Sequence, residues 1–478
     1  MFCNGRQTLV CRVALGAALS LIVAACSRHP AAGPVRIAVL RFENLTPDAS
    51  LDWMGRAASE IISHELAGGK SAVLSSSALH GSPLAQDRTL SAPGESAERT
   101  AAIAEGATLI VIGQISRAGN HLVLDVTERD AVAGRTADNF TLASPDSSDL
   151  YSLADAVARR ISPQITPFET RNNEAIAAWA RALEETDYAK LTGDYSHAVQ
   201  ADPQYAPAHA ALATAYVMAL YHGTVYPRDE PLRKARREAA RALALDPASA
   251  EAYASLAMLS FAFDHDWISA QRGFEKALEL NPSDARAHLQ YAMGLVTRGR
   301  FSQAVAHVNQ ARVLDPLSFA ATNYLAIALY CAGHYDESIA AARQTLTADP
   351  GFASAHVAIG RGMAVKGDFP RAAAEFAMAM QKYGREPWIL GRMGYALARA
   401  GHTAQALGIV KEIDRLEGPA VQIAFVYAGL GDHQRSLDAL DRAFQQGNVD
   451  LDFMAVEPML AGLRAEPRFL TLKSRMGL

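Results

Sequence analysis

Three histidines return at one place in a repeating phrase: His209, His288 and His356. Recurrent imidazoles invite a metal reading, because neutral imidazole is the commonest metal ligand. Their phase points to packing instead, since each falls four residues into its phrase, where a buried ring would sit. The stretch "FDHDW" offers Asp264, His265 and Asp266 side by side. Neighbours on a helix or tight turn point apart, so it reads as a connection between helices. "SHELAGG" begins like the zinc motif HExxH, but Gly68 stands where the second histidine should be. "GRGMAV" begins like GxGxxG, but Val365 replaces the last glycine and no strand precedes it. There is no GxSxG, no P-loop and no pair of cysteines at ligand spacing. We therefore expect no catalytic residue, no metal ligand and no cofactor.

The cysteines say where the chain goes. Of Cys3, Cys11, Cys26 and Cys331, three lie near the start. Arg6 and Arg12 precede an apolar run, "VALGAALSLIVAAC", which falls short of the about 20 residues a membrane-spanning helix needs. A charged start, an apolar middle and small residues at the end describe a secretory signal peptide over residues 1–25. Its last four residues, Val23 to Cys26, resemble the bacterial lipobox. The resemblance implies cleavage before Cys26 and lipid on that cysteine. Buried acyl chains contribute about 0.8 kcal/mol per CH₂ and anchor stably when there is more than one. Ser27 is not the aspartate that retains such proteins at the inner membrane, so the resemblance implies the outer membrane, facing the periplasm. Residues 26–34 then form a lipidated linker. Cys331 is left alone, which excludes an internal disulfide and suits a small apolar filler. A net charge of −5 with no basic tract gives no reason to expect nucleic acid.

The repeating phrase is the main structural signal. "LALDPASAEAY", "LELNPSDARAH" and "VLDPLSFAATN" carry an Asp-Pro or Asn-Pro pair, and such prolines fall at 203, 247, 282, 316 and 350. The last two intervals are 34 residues, the tetratricopeptide (TPR) period. The phase agrees. With Ala285 as position 1, small residues fall at 8, 20 and 27 (Ala292, Ala304, Ala311) and Gly299 at 15. Small residues let two helices approach. Glycine turns the chain between them, and the residue before proline leaves helical geometry. One such pair cannot bury its apolar face alone, so pairs must stack. We expect about eight pairs over 173–446, with an insert at "YHGTVYPRDE", and a helical cap over 447–478 in which Phe469 and Leu472 cover the last apolar face.

Ahead of the array, residues 35–168 read as a covered sheet with helices. "VRIAVLRFEN" has apolar residues on both faces, as a central strand does. The expected order is β-α-β-α-β-β-α, an α+β domain before an all-α TPR solenoid. "IAVLRFENLTPDASLDWMG", "GATLIVIGQISRAGNHLVLDV" and "DAVAGRT" resemble the amino-terminal domain of TolB-like proteins, akin to CsgG and FlgO domains. With "FDHDW", "LNPSDARAH", "GRFSQAV" and "LRAEPRF", the whole is similar to bacterial TolB-domain-plus-TPR proteins. That resemblance implies assembly or recognition in the envelope and brings no reaction.

In TPR arrays, positions 2, 5, 9 and 12 of each first helix line the concave face. Here those slots hold Met258, Phe261, Leu289, Met293, Val296, Ile327, Tyr330 and Val357, interrupted by Arg286, Asn323 and Arg361. An apolar, Met-bearing groove suits an amphipathic helix or an extended apolar peptide. We expect a non-enzymatic, membrane-anchored scaffold that binds envelope proteins or peptides through this groove. The other reading is an envelope sensor whose α/β domain binds a small ligand and signals through the array.

Overall fold

The computed structural model describes residues 35–478, apart from 49–50, 68–71, 81–96, 120, 145–148, 186, 222–227 and 316–317. The expected signal peptide 1–25, Cys26 and linker 26–34 lie outside the described residues, as do Gly68 and most of the 221–230 insert.

The first domain is built on one sheet. β1 (Arg36–Val39) and β2 (Glu43–Asn44) lead to α1 (Trp53–Ala67), β3 (Ala72–Leu74), a short α2 (Ser76–His80) and α3 (Ala97–Ala104). Then come β4 (Leu109–Ala118), β5 (His121–Asp130), β6 (Thr136–Ala143) and α4 (Leu150–Ile161). The strand order is β3-β1-β4-β5-β6, with β2 beside β4. β1 runs parallel to both neighbours, while β4, β5 and β6 form an antiparallel meander. This is the expected α+β domain; beyond the expected order it carries the short β2, the short α2 and a third strand after α3. β1 is covered on both faces. Ile37 and Val39 pack under α1 and α4, while Ala38 and Leu40 meet Leu79, Ala101 and Ala102 opposite.

The array follows as helix pairs. They are α5 (Asn173–Ala182) with α6 (Tyr188–Ala201), α7 (Ala206–Tyr221) with α8 (Asp229–Leu245), and α9 (Ala250–Ala262) with α10 (Trp267–Leu280). Next are α11 (Ala285–Thr297) with α12 (Phe301–Leu314), and α13 (Phe319–Cys331) with α14 (Tyr335–Ala348). The last are α15 (Ala353–Val365) with α16 (Phe369–Tyr383), α17 (Pro387–Arg399) with α18 (Thr403–Arg415), and α19 (Ala420–Leu430) with α20 (His433–Gln445).

The punctuation acts as its chemistry requires. Asp246, Asn281, Asp315 and Asp349, each before a proline, leave the helix with ψ of 100°, 85°, 84° and 96°. Ser249, Asp284 and Ser318 then start the next helix, each accepting a hydrogen bond from the backbone N–H three residues on. The turn glycines 299, 333, 367 and 401 have φ between 69° and 88°, a region that costs a side chain strain. Ala292, Ala304 and Ala311 are fully buried where the helices touch.

The two domains share a core. Phe168, on the connection, meets His64 of α1, Trp179 of α5 and Tyr205, with ring centroids 5.3, 5.7 and 5.8 Å apart. Glu65 of α1 accepts the Phe168 N–H at 3.0 Å, and burial pushes its carboxyl up to about 7. Arg56, fully buried, pairs with Glu98 at 3.2 Å and with Glu184 of the first repeat at 3.1 Å.

Candidate partner-binding groove

Most of the groove side chains named from the sequence are under cover. Met258, Phe261, Leu289, Met293, Val296, Tyr330 and Val357 are all buried, and Ile327 is half-buried. What covers them is in large part the chain's own tail. After α20 the chain forms two 3₁₀ segments, Val449–Phe453 and Pro458–Leu463, before α21 (Pro467–Arg475). α21 packs at the end of the array, with Phe469 and Leu472 buried in the terminal core. The residues before it turn back instead into the concave face. Val449, Phe453 and Val456 pack in the same cluster as Met258, Phe261, Leu289 and Val296. Arg228 and Arg298 tie down the tail through the carbonyls of Gly447 and Gly477, each at 2.5 Å.

Glu457 is the centre of this contact. Its carboxylate accepts from Arg361 at 2.7 Å, from the Tyr330 hydroxyl at 2.5 Å and from the Met459 N–H at 3.0 Å. It is 2% exposed. Burial alone would raise its pKa, but the charges of Arg361 and Arg392 outweigh burial and hold it below the usual range. The Arg361 guanidinium also lies 4.2 Å from the Tyr330 ring centroid. Arg361, expected as polar punctuation of the groove, is thus spent on the tail. Arg286 is likewise paired, with Glu251 at 3.0 Å.

Part of the groove stays open. A cavity of about 360 Å³ lies between the first helices and the tail. Tyr221, Met293, Tyr324, Ile327 and Phe352 give it an apolar and aromatic wall, and Asn323, Ser354, Arg392 and Asp450 supply the polar points. Pockets of this size and lining suit small ligands or a few side chains. Met293 and Ile327, named from the sequence, and the interrupting Asn323 meet here. Met258, Phe261, Leu289 and Val357 do not line it. Arg392 was not named from the sequence, and the tail was named there only as a cap on the last pair, not as an occupant of the groove. The signal in reach was the tail's own pattern, "LDFMAVEPML", in which one glutamate stands among apolar residues.

The other candidates separate. Each recurrent histidine reaches back to a proline carbonyl with Nε2, at 3.3, 3.2 and 3.3 Å from Pro203, Pro282 and Pro350. Nδ1 meets the second helix: Glu238 at 2.6 Å for His209, Glu375 at 2.7 Å for His356, and His307 at 2.9 Å for His288. They staple helix pairs. In "FDHDW", Asp264 pairs with Arg236, His265 with Asp452 of the tail at 3.2 Å, and Asp266 caps α10. Cys331 is buried and its thiol is pushed up to about 12 by burial, which leaves it unreactive. Among the described residues, no group of three or more His, Cys, Asp or Glu could hold a metal ion, and no helix is long and apolar enough to cross a membrane.

The comparisons with known proteins follow this geometry. A family model described as tetratricopeptide repeat matches residues 291–351 and 325–387. Among solved structures, the chain is similar to PilF of Pseudomonas aeruginosa, at 19% identity over 43% of this chain and 91% of that one, with a TM-score of 0.34. It is similar to PilW, a type IV pilus biogenesis factor, at 18% identity over 55% and 97%, with a TM-score of 0.34. It is also similar to YrrB, a TPR protein with an unusual peptide-binding site, at 21% identity over 39% and 91%, with a TM-score of 0.29. Against curated proteins the chain finds no match. Residues 291–387 are tetratricopeptide repeat by sequence, and the helix pairs on either side continue them as one TPR-like solenoid.

Proposed function

We propose that the chain is a lipid-anchored scaffold of the cell envelope. It faces the periplasm from the outer membrane, as the lipobox resemblance implies, and it holds partner proteins or peptides without a reaction of its own. The open chamber in the concave face carries this reading. It keeps an apolar and aromatic wall with a few polar points, in a fold whose repeats otherwise bury their apolar surface against one another. Recognition energy would come from a few anchors entering it. The anchor at Cys26 rests on "VAAC", and the assembly role of the front domain rests on its TolB-like stretches.

Met293 is 7% and Phe261 2% exposed, so a charge at either would unfold the array before it tested binding. Half-buried Ile327 is the better probe. With a photo-crosslinking amino acid at Ile327 in the full chain, irradiation of intact envelopes should give discrete adducts in the membrane fraction. Loss of those adducts on Ile327→Glu at unchanged melting temperature supports the reading. Absence of any adduct from the chamber, against adducts from an exposed helix face, overturns it. A soluble chain when Cys26 is intact overturns the anchor.

A further inference from the structure

Two arginines stand on successive first helices of the chamber wall, each over an aromatic ring. Arg361 of α15 lies over Tyr330, and Arg392 of α17 lies over Phe425 at 5.0 Å from its centroid. The ring comes from the preceding first helix, α13, for Arg361 and from the following one, α19, for Arg392, and the two pairs also differ in what they hold. The Arg361–Tyr330 pair is filled by Glu457, whose neighbours Met454 and Leu460 line the same chamber. The Arg392–Phe425 pair holds no carboxylate. Arg392 uses only Nη1, donating to the Trp388 carbonyl at 2.6 Å and to Gln422 Oε1 at 2.9 Å. It forms no ion pair among the described residues. Its other nitrogens are not among the buried atoms lacking partners, so they reach the open space. Asp450 is the other acid there, and it accepts from Gln422 Nε2 at 2.9 Å, at the far end of the same amide. Burial, with the charge of Arg361 added, disfavours the charged form of Arg392, and the charges of Glu457 and Asp450 nearby offset this only in part. A carboxylate in direct contact with it would offset more.

We propose that the Arg392–Phe425 pair receives the side-chain carboxylate of an internal acidic residue in a partner peptide. Apolar residues flanking it fill the space beside Met293, Tyr324, Ile327 and Phe352. The tail supplies the chemical precedent, since Glu457 among apolar neighbours is held by the other arginine-over-ring pair of the same wall, in which the ring comes from the preceding first helix, not the following one. The inference rests on the groove reading above and names the chemistry of its partner. A planar guanidinium over a ring is suited to a carboxylate, to which it presents two parallel donors.

The probe is a fluorescent peptide copying residues 453–460, Phe-Met-Ala-Val-Glu-Pro-Met-Leu, acetylated and amidated at its ends, titrated into the full chain by polarisation. Saturable binding is expected, weakened at least ten-fold when the peptide's glutamate becomes glutamine. Arg392→Met should reduce affinity for the glutamate peptide to that of the glutamine peptide and leave the latter unchanged, with Arg392→Lys between. If Arg392→Met does not fold, the two peptides on the wild-type chain decide. Equal affinity of the two, no binding of either, or equally tight binding of a glutamine peptide with a free C-terminal carboxylate would each overturn the proposal. Crosslinking at Ile327 decides the groove reading separately, so the two failures are distinct.

Discussion

At the scale of single residues, the second-helix position opposite each recurrent histidine shows how one substitution changes chemistry inside a fixed geometry. Glu238 and Glu375 present carboxylates to His209 and His356; His307 presents a second imidazole to His288. Two ring nitrogens 2.9 Å apart share one hydrogen, because one must accept. A further proton breaks the contact. Burial, and then the proximity of His288, hold the His307 pKa below its ordinary 6.5. A depressed histidine stabilises the fold fully above that ordinary value, and the contribution falls away as pH drops below it toward the folded-state pKa. His307→Glu restores the pattern of the other two repeats. Its melting temperature should fall less than wild type between about pH 7 and pH 5, and parallel pH profiles for the two chains would show that the pair is not the acid-sensitive contact.

At the scale of helices, close approach decides which sequences can stack. Gly360 of α15 faces the ring of Phe376, and a Cβ there would lie 2.7 Å from Cε1. Phe376 is fully buried on the partner helix, so its ring has nowhere to go. Gly360→Ala should cost about 1–3 kcal/mol of unfolding free energy, despite the higher helix propensity of alanine. Denaturant titration checks the sign: a stabilised variant would mean that propensity outweighs packing here. The first helices are apolar almost all round because they are covered by their own partner, by the next repeat and, in the centre, by the tail. The second helices α10 and α16 are more one-sided, with Ala270, Phe274 and Ala277, or Ala372, Phe376 and Ala379, as their buried stripes.

At the scale of the whole molecule, the tail joins repeats far apart in sequence. Glu457 touches Tyr330 and Arg361, His265 meets Asp452, and Arg228 and Arg298 hold Gly447 and Gly477. A solenoid stabilised only by neighbours unfolds repeat by repeat; one bridged by its own tail resists that. Glu457→Gln leaves the buried guanidinium of Arg361 without its counter-charge, and breaking such a pair costs about 3–5 kcal/mol. The double change Glu457→Gln with Arg361→Met should cost less than the sum of the two single changes, as measured by chemical denaturation. Strict additivity would mean the pair does not hold the tail.

The sequence by itself determined what repeats locally. Proline after Asp or Asn, glycine at the turn and alanine at the contact fix each hairpin through backbone geometry and volume, so the pairs were legible from Ala285 or Ala353 alone. The two-faced first strand was legible for the same reason, since a run apolar on both faces must lie between layers. The tail's destination was not. "LDFMAVEPML" is short and aperiodic, and its glutamate marks a site only once the solenoid brings Tyr330 and Arg361 to it. Which concave residues are covered, and which still face open space, depends on superhelical curvature. Curvature is the sum of small rotations between repeats, and no single repeat encodes where that sum brings the chain back on itself.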